Sequence, residues 1–307
     1  MLVALSGGPD STALLAALAA LRARGRLARL SALHVDHRLR AGGAGEADAC
    51  ARLCERLGVE FHRRAIEVAK GNVQAEARRA RYAALREVSE EVGATRIATG
   101  HTRSDQAETV LHRLLRGAGA RGLAAIPPKR GDLVRPLIDR SRPEVRAYLE
   151  AEGLPSLEDP SNASPRYTRN RIRAELLPVL ARFNPSIEAA LARAADLLRD
   201  DDRALERLAR REAGALGWAD ATRLRRAARA VRRRAVRRLW KACTGSRRGL
   251  SAKNVEAVLG VLARPGPGRV SLPGGFEARA ARGRVWIARQ PEEALARRRS
   301  RTPPGAG

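Results

Sequence analysis

The feature that most constrains this chain is its amino-terminal stretch, Leu2-Val3-Ala4-Leu5-Ser6-Gly7-Gly8-Pro9-Asp10-Ser11-Thr12-Ala13-Leu14-Leu15. Four apolar residues read as a buried strand. A Ser-Gly-Gly turn follows, and a helix opens at Pro9, where a missing N–H costs little. Gly7 and Gly8 allow φ > 0 and a close approach of backbone to ligand. The unpaired N–H groups of the helix start point into the same space, which makes the turn an anion site. With the hydroxyls of Ser6 and Ser11 beside it, the natural guest is a phosphate or pyrophosphate. A Walker A loop is excluded, because none of the four lysines (Lys70, Lys129, Lys241, Lys253) follows a glycine.

Downstream, strand and helix signals alternate. Helices are expected over about 10–23, 44–57, 72–92 and 105–115, with strands at 30–37, near 59–61 and at 96–99. This pattern predicts an α/β fold with a parallel sheet covered on both faces. Ligands in such sheets sit beyond the carboxyl ends of the strands, where Ser6, His34, Gly100 and His101 all fall. Leu133–Ile138 leads to a helix with a capping box from Ser141 to Glu144. The stretch from Leu154 to Arg171, rich in Pro, Ser, Asn and Asp, reads as a functional loop.

Beyond Asn184-Pro185 the chain turns helical and charged, with helices expected near 186–212, 222–241 and 251–263. Pro265-Gly266-Pro267-Gly268 marks a boundary, and three short strands from Arg269 to Ile287 suggest a small antiparallel unit. Three domains are therefore expected, over 1–180, 181–265 and 266–307, the last ending in a basic disordered tail.

The formal charge of +27 in 307 residues points to a polyanionic partner. Only four of the sixty basic residues are lysine, so part of this excess reflects a bias toward arginine. Its distribution is nevertheless uneven. No acid occurs from Ala221 to Val255, while Arg232, Arg233, Arg234, Arg237 and Arg238 crowd one helix, and these become candidate RNA-backbone contacts. The bland alternative is a solvated helix face, which would normally intersperse acids. Cys50, Cys54 and Cys243 form no CxxC pair, and the first two read as small buried apolar residues. No apolar run reaches membrane-spanning length, and Met1 leads straight into a strand, so a cytosolic protein is expected.

A second motif is Gly100-His101-Thr102-Arg103-Ser104-Asp105-Gln106-Ala107-Glu108-Thr109. Helical spacing puts Asp105 and Glu108 on one face of a helix start, with Ser104 as the expected cap. Alone, such acids merely complement the helix dipole. Beside a phosphate loop they hold Mg²⁺, an oxygen-seeking ion that bridges phosphates, or receive a cationic co-substrate.

Ser6-Gly7-Gly8-Pro9-Asp10-Ser11 resembles the SGGxDS signature of the PP-loop enzymes, the N-type ATP pyrophosphatases (adenine nucleotide alpha-hydrolase-like fold). Within that class the chain resembles the tRNA(Ile)-lysidine synthases. The similarity rests on Gly100–Thr109, on His34-Val35-Asp36-His37 with Leu39-Arg40, and on Asn72 through Arg78 to Arg81-Tyr82. It continues through Arg135-Pro136-Leu137, Glu158-Asp159-Pro160-Ser161-Asn162 and Arg169-Asn170-Arg171-Ile172-Arg173. These matches run in order over about residues 1–185. One departure stands out: Ser104 occupies the first place of the family's Asp-Asp pair.

The resemblance implies a ligase that joins the ε-amine of L-lysine to C2 of the wobble cytidine in a tRNA(Ile) with a CAU anticodon, using ATP and Mg²⁺. It implies that Ser6, Gly7, Gly8, Pro9, Asp10 and Ser11 bind ATP. His34 and His101, at strand ends, either line the nucleotide pocket or are ordinary buried histidines, and Arg78 and Arg171 are either phosphate partners or, the more common case for a lone arginine, members of surface salt bridges. Asp10, Asp105 and Glu108 are the implied catalytic acids, and Asp10 and Asp105 the Mg²⁺ ligands. Oligomeric state stays open, with a homodimer as one option. The rival readings are another PP-loop tRNA enzyme, such as a thiolase, and a basic RNA-binding protein with a vestigial ATP site. Thiolases of this class generally need reactive cysteines or a metal cluster, which the Cys50/Cys54 spacing does not suit.

Overall fold

The computed structural model describes residues 1–36, 43–66, 73–157, 167–214 and 217–290. His37 and Leu39-Arg40, Asn72, Glu158–Asn162 and the carboxyl-terminal tail lie outside them. The chain divides into two compact units, Met1–Arg199 and Asp200–Gly307.

The first unit runs β1 (Leu2–Ala4), α1 (Pro9–Ala23), β2 (Ser31–Asp36), α2 (Gly43–Arg56), β3 (Glu60–Ala65), α3 (Val73–Glu91), β4 (Ile97–Ala98) and α4 (Arg103–Leu114). It continues through α5 (Ala120–Leu123), β5 (Lys129–Arg130), β6 (Leu133–Val134), α6 (Arg142–Ala151), α7 (Thr168–Arg171) and α8 (Leu177–Phe183) into α9 (Ile187–Ala213). Its six strands lie in the order β3-β2-β1-β4-β6-β5, and only β5 runs antiparallel to its neighbour.

Alternation along β1 explains the layers. Val3 joins Leu14, Leu15, Leu18, Cys50, Leu53 and Cys54 of α1 and α2 on one face. Leu2 joins Leu85 and Val88 of α3 on the other. Strand order reverses at β1, between β2 and β4, which opens a crevice beyond the carboxyl ends of β1 and β4. Gly100 makes that crevice narrow. A Cβ there would sit 2.8 Å from the Asp10 carbonyl oxygen and 3.0 Å from the Ser11 nitrogen, so only glycine lets the end of β4 lie against the start of α1.

The second unit packs β7 (Trp218–Asp220), α10 (Ala221–Arg226), α11 (Arg229–Thr244), α12 (Ala252–Ala263), β8 (Gly268–Leu272), β9 (Phe276–Ala281) and β10 (Arg284–Arg289). The strands form an antiparallel sheet, β7-β10-β9-β8. The boundary expected near residue 265 does not separate two bodies. Leu239, Trp240, Val258 and Leu262 from the helices share one core with Ala278, Val285 and Ile287 from the strands. Neither the three strands past that boundary nor the short helices before it would bury a core alone.

Candidate active site

The turn after β1 places its groups much as its sequence requires. Gly7 takes φ +81°, and a Cβ there would meet Leu157 Cδ1 at 2.8 Å. The Leu157 N–H donates to the Gly7 carbonyl, which seals that side of the loop. Gly8 differs from expectation: it caps α1 in extended conformation at φ −69°, so its value is its open surface. Ser11 Oγ donates to the Gly8 carbonyl and accepts from the Ser6 N–H, and the Ser6 and Ser11 hydroxyls lie 3.1 Å apart.

Among the described residues, three acids and three arginines stand around this turn. Arg142, the first residue of α6, reaches Glu108 Oε1 at 2.6 Å and Asp105 Oδ1 at 2.8 Å, and its Nε lies 3.8 Å from Asp10. Arg169 donates to Glu108 Oε2 at 2.8 Å and Asp105 Oδ1 at 3.1 Å, and Arg173 to Glu108 Oε1 at 2.7 Å. One guanidinium thus links Asp105 and Glu108 to the phosphate turn.

The local sequence builds this convergence. Ala107 and Leu111 of α4 pack on Ile172 and Leu177, which carries the 169–177 segment across Glu108. Residues Ile172–Leu176 form a π-helical turn ahead of Pro178, which has no N–H to continue the ladder.

Thr102, rather than Ser104, caps α4: its hydroxyl accepts from the Asp105 N–H, and Asp105 Oδ2 accepts from the Thr102 N–H at 2.9 Å. Ser104 lies two positions past the cap, inside the first turn. Its buried hydroxyl donates to Glu188 at 2.6 Å instead.

The three acids titrate in different ranges. Burial works to raise the Asp105 and Glu108 pKa values, but the arginines around them outweigh it and hold both below the ordinary carboxylate range. Asp10 goes the other way. Burial, followed by the neighbouring Asp105, pushes it up to about 6. Its Oδ1 is buried and has no hydrogen-bond partner among the described residues. Asp10 therefore fits a bound cation, whereas both oxygens of Asp105 are already engaged. Among the described residues, no group of three or more His, Cys, Asp or Glu is placed to hold a metal.

Other expected site residues separate into near and far. His101 is half-buried, bonded to Thr99 Oγ1 at 3.0 Å, and pushed down to about 4 chiefly by burial, so it is neutral at pH 7. Arg78 lies over the Tyr82 ring and bears on the His101 charge. His34 is a buried histidine whose Nδ1 lies 3.1 Å from the Leu5 carbonyl oxygen. Arg171 is exposed and paired with Glu175 one turn on, so the arginines that face the site are its neighbours Arg169 and Arg173. Their i, i+4 spacing is the signal that could have found them.

The basic run on α11 is also less free than its sequence suggests. Arg234 pairs with Asp202 and Arg238 with Glu206, while Arg233 and Arg229 share Glu256. Arg237 donates to the Leu250 carbonyl. The acids missing from 221–255 come from α9 and from Glu256, just past that window. Cys50 and Cys54 are free and buried as expected, their thiols pushed up to about 11 and 12.

This combination, a parallel sheet with an Ser-Gly-Gly anion turn at its switch point, is that of the PP-loop domain, whose family matches residues 1–180. Residues 220–286 match the TilS substrate binding domain. The chain is 41% identical to the tRNA(Ile)-lysidine synthase of Thermobifida fusca, over 94% of this chain and 91% of that one. It is 40% identical to the synthase of Symbiobacterium thermophilum, over 94% of this chain but 65% of that one. The chain belongs to the tRNA(Ile)-lysidine synthase family. Among solved structures, the U34-tRNA thiolase NcsA from Methanococcus maripaludis, determined with its 4Fe-4S cluster, shares the fold. Its TM-score is 0.53 at 21% identity, covering 64% of this chain and 71% of that chain. No described helix is long and apolar enough to cross a membrane.

Proposed function

We propose that this chain joins L-lysine to C2 of the wobble cytidine of a CAU-anticodon tRNA(Ile), consuming ATP. The observation that carries this reading is the link through Arg142 from Asp105 and Glu108 to Asp10 in the phosphate turn. Two half-reactions are needed. The cytidine O2 attacks the ATP α-phosphate and pyrophosphate leaves; the lysine ε-amine then adds at C2, loses a proton and expels AMP.

Each demand has a candidate residue. The turn of Ser6, Gly7, Gly8 and Ser11 receives the departing pyrophosphate and stabilises the charge building on it. Asp10 would hold Mg²⁺, which when bound neutralises phosphate oxygens. Without a cation on it, the same carboxylate, pushed up to about 6 and with a free oxygen, is suited instead to take the proton from the lysine ammonium. Asp105 and Glu108 act by holding Arg142 and Arg169 at the crevice, where their guanidinium groups match phosphate oxygens. His101, being neutral, contributes a hydrogen-bonding edge rather than a charge. A protein acting on tRNA works in the cytoplasm.

The thiolase alternative gains no support from the cysteines. Two are packed in the core with raised pKa values, and the third, Cys243, lies in the other unit.

The test is incubation with ATP, labelled lysine and CAU-anticodon tRNA, followed by nucleoside analysis. Lysidine and AMP should appear together, and only when all three substrates are present. Asp105→Asn should lower the rate by at least about a hundredfold, the cost typical of losing a group that positions transition-state contacts, while tRNA affinity stays within about twofold. Turnover unchanged in that variant would remove Asp105 from the mechanism.

A further inference from the structure

The four-stranded sheet of the second unit has two faces of opposite chemistry. Inward, Val270, Ala278 and Ile287 lie in one register and Ala280, Val285 and Ala219 in the next, all against or beside the core. Outward, a single register runs Arg269, Arg279, Trp286, Trp218 across all four strands. Directly opposed residues on neighbouring strands share a face, so two tryptophans stand side by side with two arginines beyond them.

The chain has only three tryptophans. Trp240 is in the core, its indole N–H on the Arg248 carbonyl. Trp218 and Trp286 are only half-buried, in a protein that is 3% aromatic. Arg284 lies over the Trp218 ring at 4.3 Å. With Arg282 on the adjoining hairpin turn, these residues line a groove of about 660 Å³, a size typical of ligand pockets. Asp220, opposite Arg284, spends a carboxylate oxygen capping α10, and Glu277 is turned to Arg279. Arg269, Arg282 and Arg284 are exposed; Arg282 and Arg284 line the groove, and Arg269 stands on the same face two strands from Trp286.

Paired indoles flanked by guanidinium groups match a strand that offers flat faces and phosphates alternately. We propose that this face is a stacking platform for an unpaired segment of RNA, with one base on Trp286, another on the face of Trp218 that Arg284 does not cover, and the backbone on the exposed arginines of the same face. Aromatic platforms of this type hold single strands because every base has a π face, whereas a duplex hides its faces in the stack. The inference deepens the reading of the chain as a tRNA enzyme and rests on it only for the identity of the RNA.

The test measures binding of a fluorescein-labelled ten-nucleotide oligouridylate to the full chain by anisotropy, with a blunt RNA duplex and a deca-glutamate peptide as comparisons. The single strand should bind more tightly than either. Replacing both Trp218→Ala and Trp286→Ala should weaken it at least tenfold, while Trp218→Phe with Trp286→Phe keeps affinity within about threefold and shows that the fold survives. An alanine pair that binds as tightly as wild type overturns the proposal, as does peptide binding equal to that of RNA. The same variants in the lysine-transfer assay separate the two readings. Oligouridylate binding without any lysidine breaks the functional reading alone; lysidine formation with RNA affinity indifferent to the tryptophans breaks the platform alone.

Discussion

Two clusters of arginine and carboxylate, one in each unit, look alike on paper and differ in depth. Around Glu108, which is fully buried, three guanidinium groups converge on one carboxylate from residues 34 to 65 positions away. On α11, Arg229 and Arg233 share Glu256 at the surface. The same pairing has different consequences. A buried charge that loses its partner has no water to replace it, whereas an exposed one is rehydrated at little cost. The first cluster therefore organises a site, and the second mainly trims the charge of a helix.

The sharpest way to break this contrast is Glu108→Gln. It leaves Arg142, Arg169 and Arg173 facing each other without their shared counter-charge, and removing one partner of a buried pair costs about 3–5 kcal/mol. Urea unfolding of the variant should show that loss, and lysine transfer should fall with it because Arg142 loses its anchor. Stability within 1 kcal/mol of wild type would mean that the cluster is hydrated after all.

A smaller effect should come from Asp10, the acid of the site that its arginine neighbour only approaches. Its pKa of about 6 lies above the ordinary carboxylate value. Whatever stability it contributes is complete below about pH 4 and is lost as pH rises toward and through 6. Asp105 and Glu108, held low, do the reverse: their contribution is present above the ordinary carboxylate range and is lost as pH falls. If ionised Asp10 is what receives the amine, kcat/KM for lysine rises with pH through a limb near 6. Asp10→Asn should abolish that limb as well as most of the rate. A residual limb in the variant would assign it to another group.

How much of this was legible in the sequence follows from distance along the chain. Local patterns were readable: the strand, turn and helix at Ser6–Ser11, the alternation that makes the parallel sheet, and the capping box at Ser141. Long-range choices were not. Arg142 announces itself only as the residue after a cap, and nothing near it says that its side chain meets Glu108. In the run from Arg169 to Arg173, the family resemblance pointed to Arg171, although helical spacing sets it on the opposite face from its two neighbours. Thr102 and Ser104 are both good caps, and the geometry of the turn decides between them. The empty acid window at 221–255 misled for the same reason, since Asp202 and Glu206 reach it from the preceding long helix and Glu256 lies just past its end.

The least effect is expected where sequence alone promised much. A cation that contacts a phosphate contributes about 0.7–0.9 to the slope of log affinity against log salt. Three free arginines at 232–234 would together contribute more than about 2. With Arg233 on Glu256 and Arg234 on Asp202, neutralising all three also releases two carboxylates, which repel the tRNA that the arginines were meant to attract. The slope should then change by less than about 1, while overall affinity falls because the freed acids remain. The same measurement on Arg269→Gln with Arg284→Gln should change the slope by more, because those two are exposed on the tryptophan face of the sheet. If instead the α11 triple variant produced the larger change, its ion pairs would have to open on binding, and the surface helix would resemble the buried cluster in organising a ligand after all.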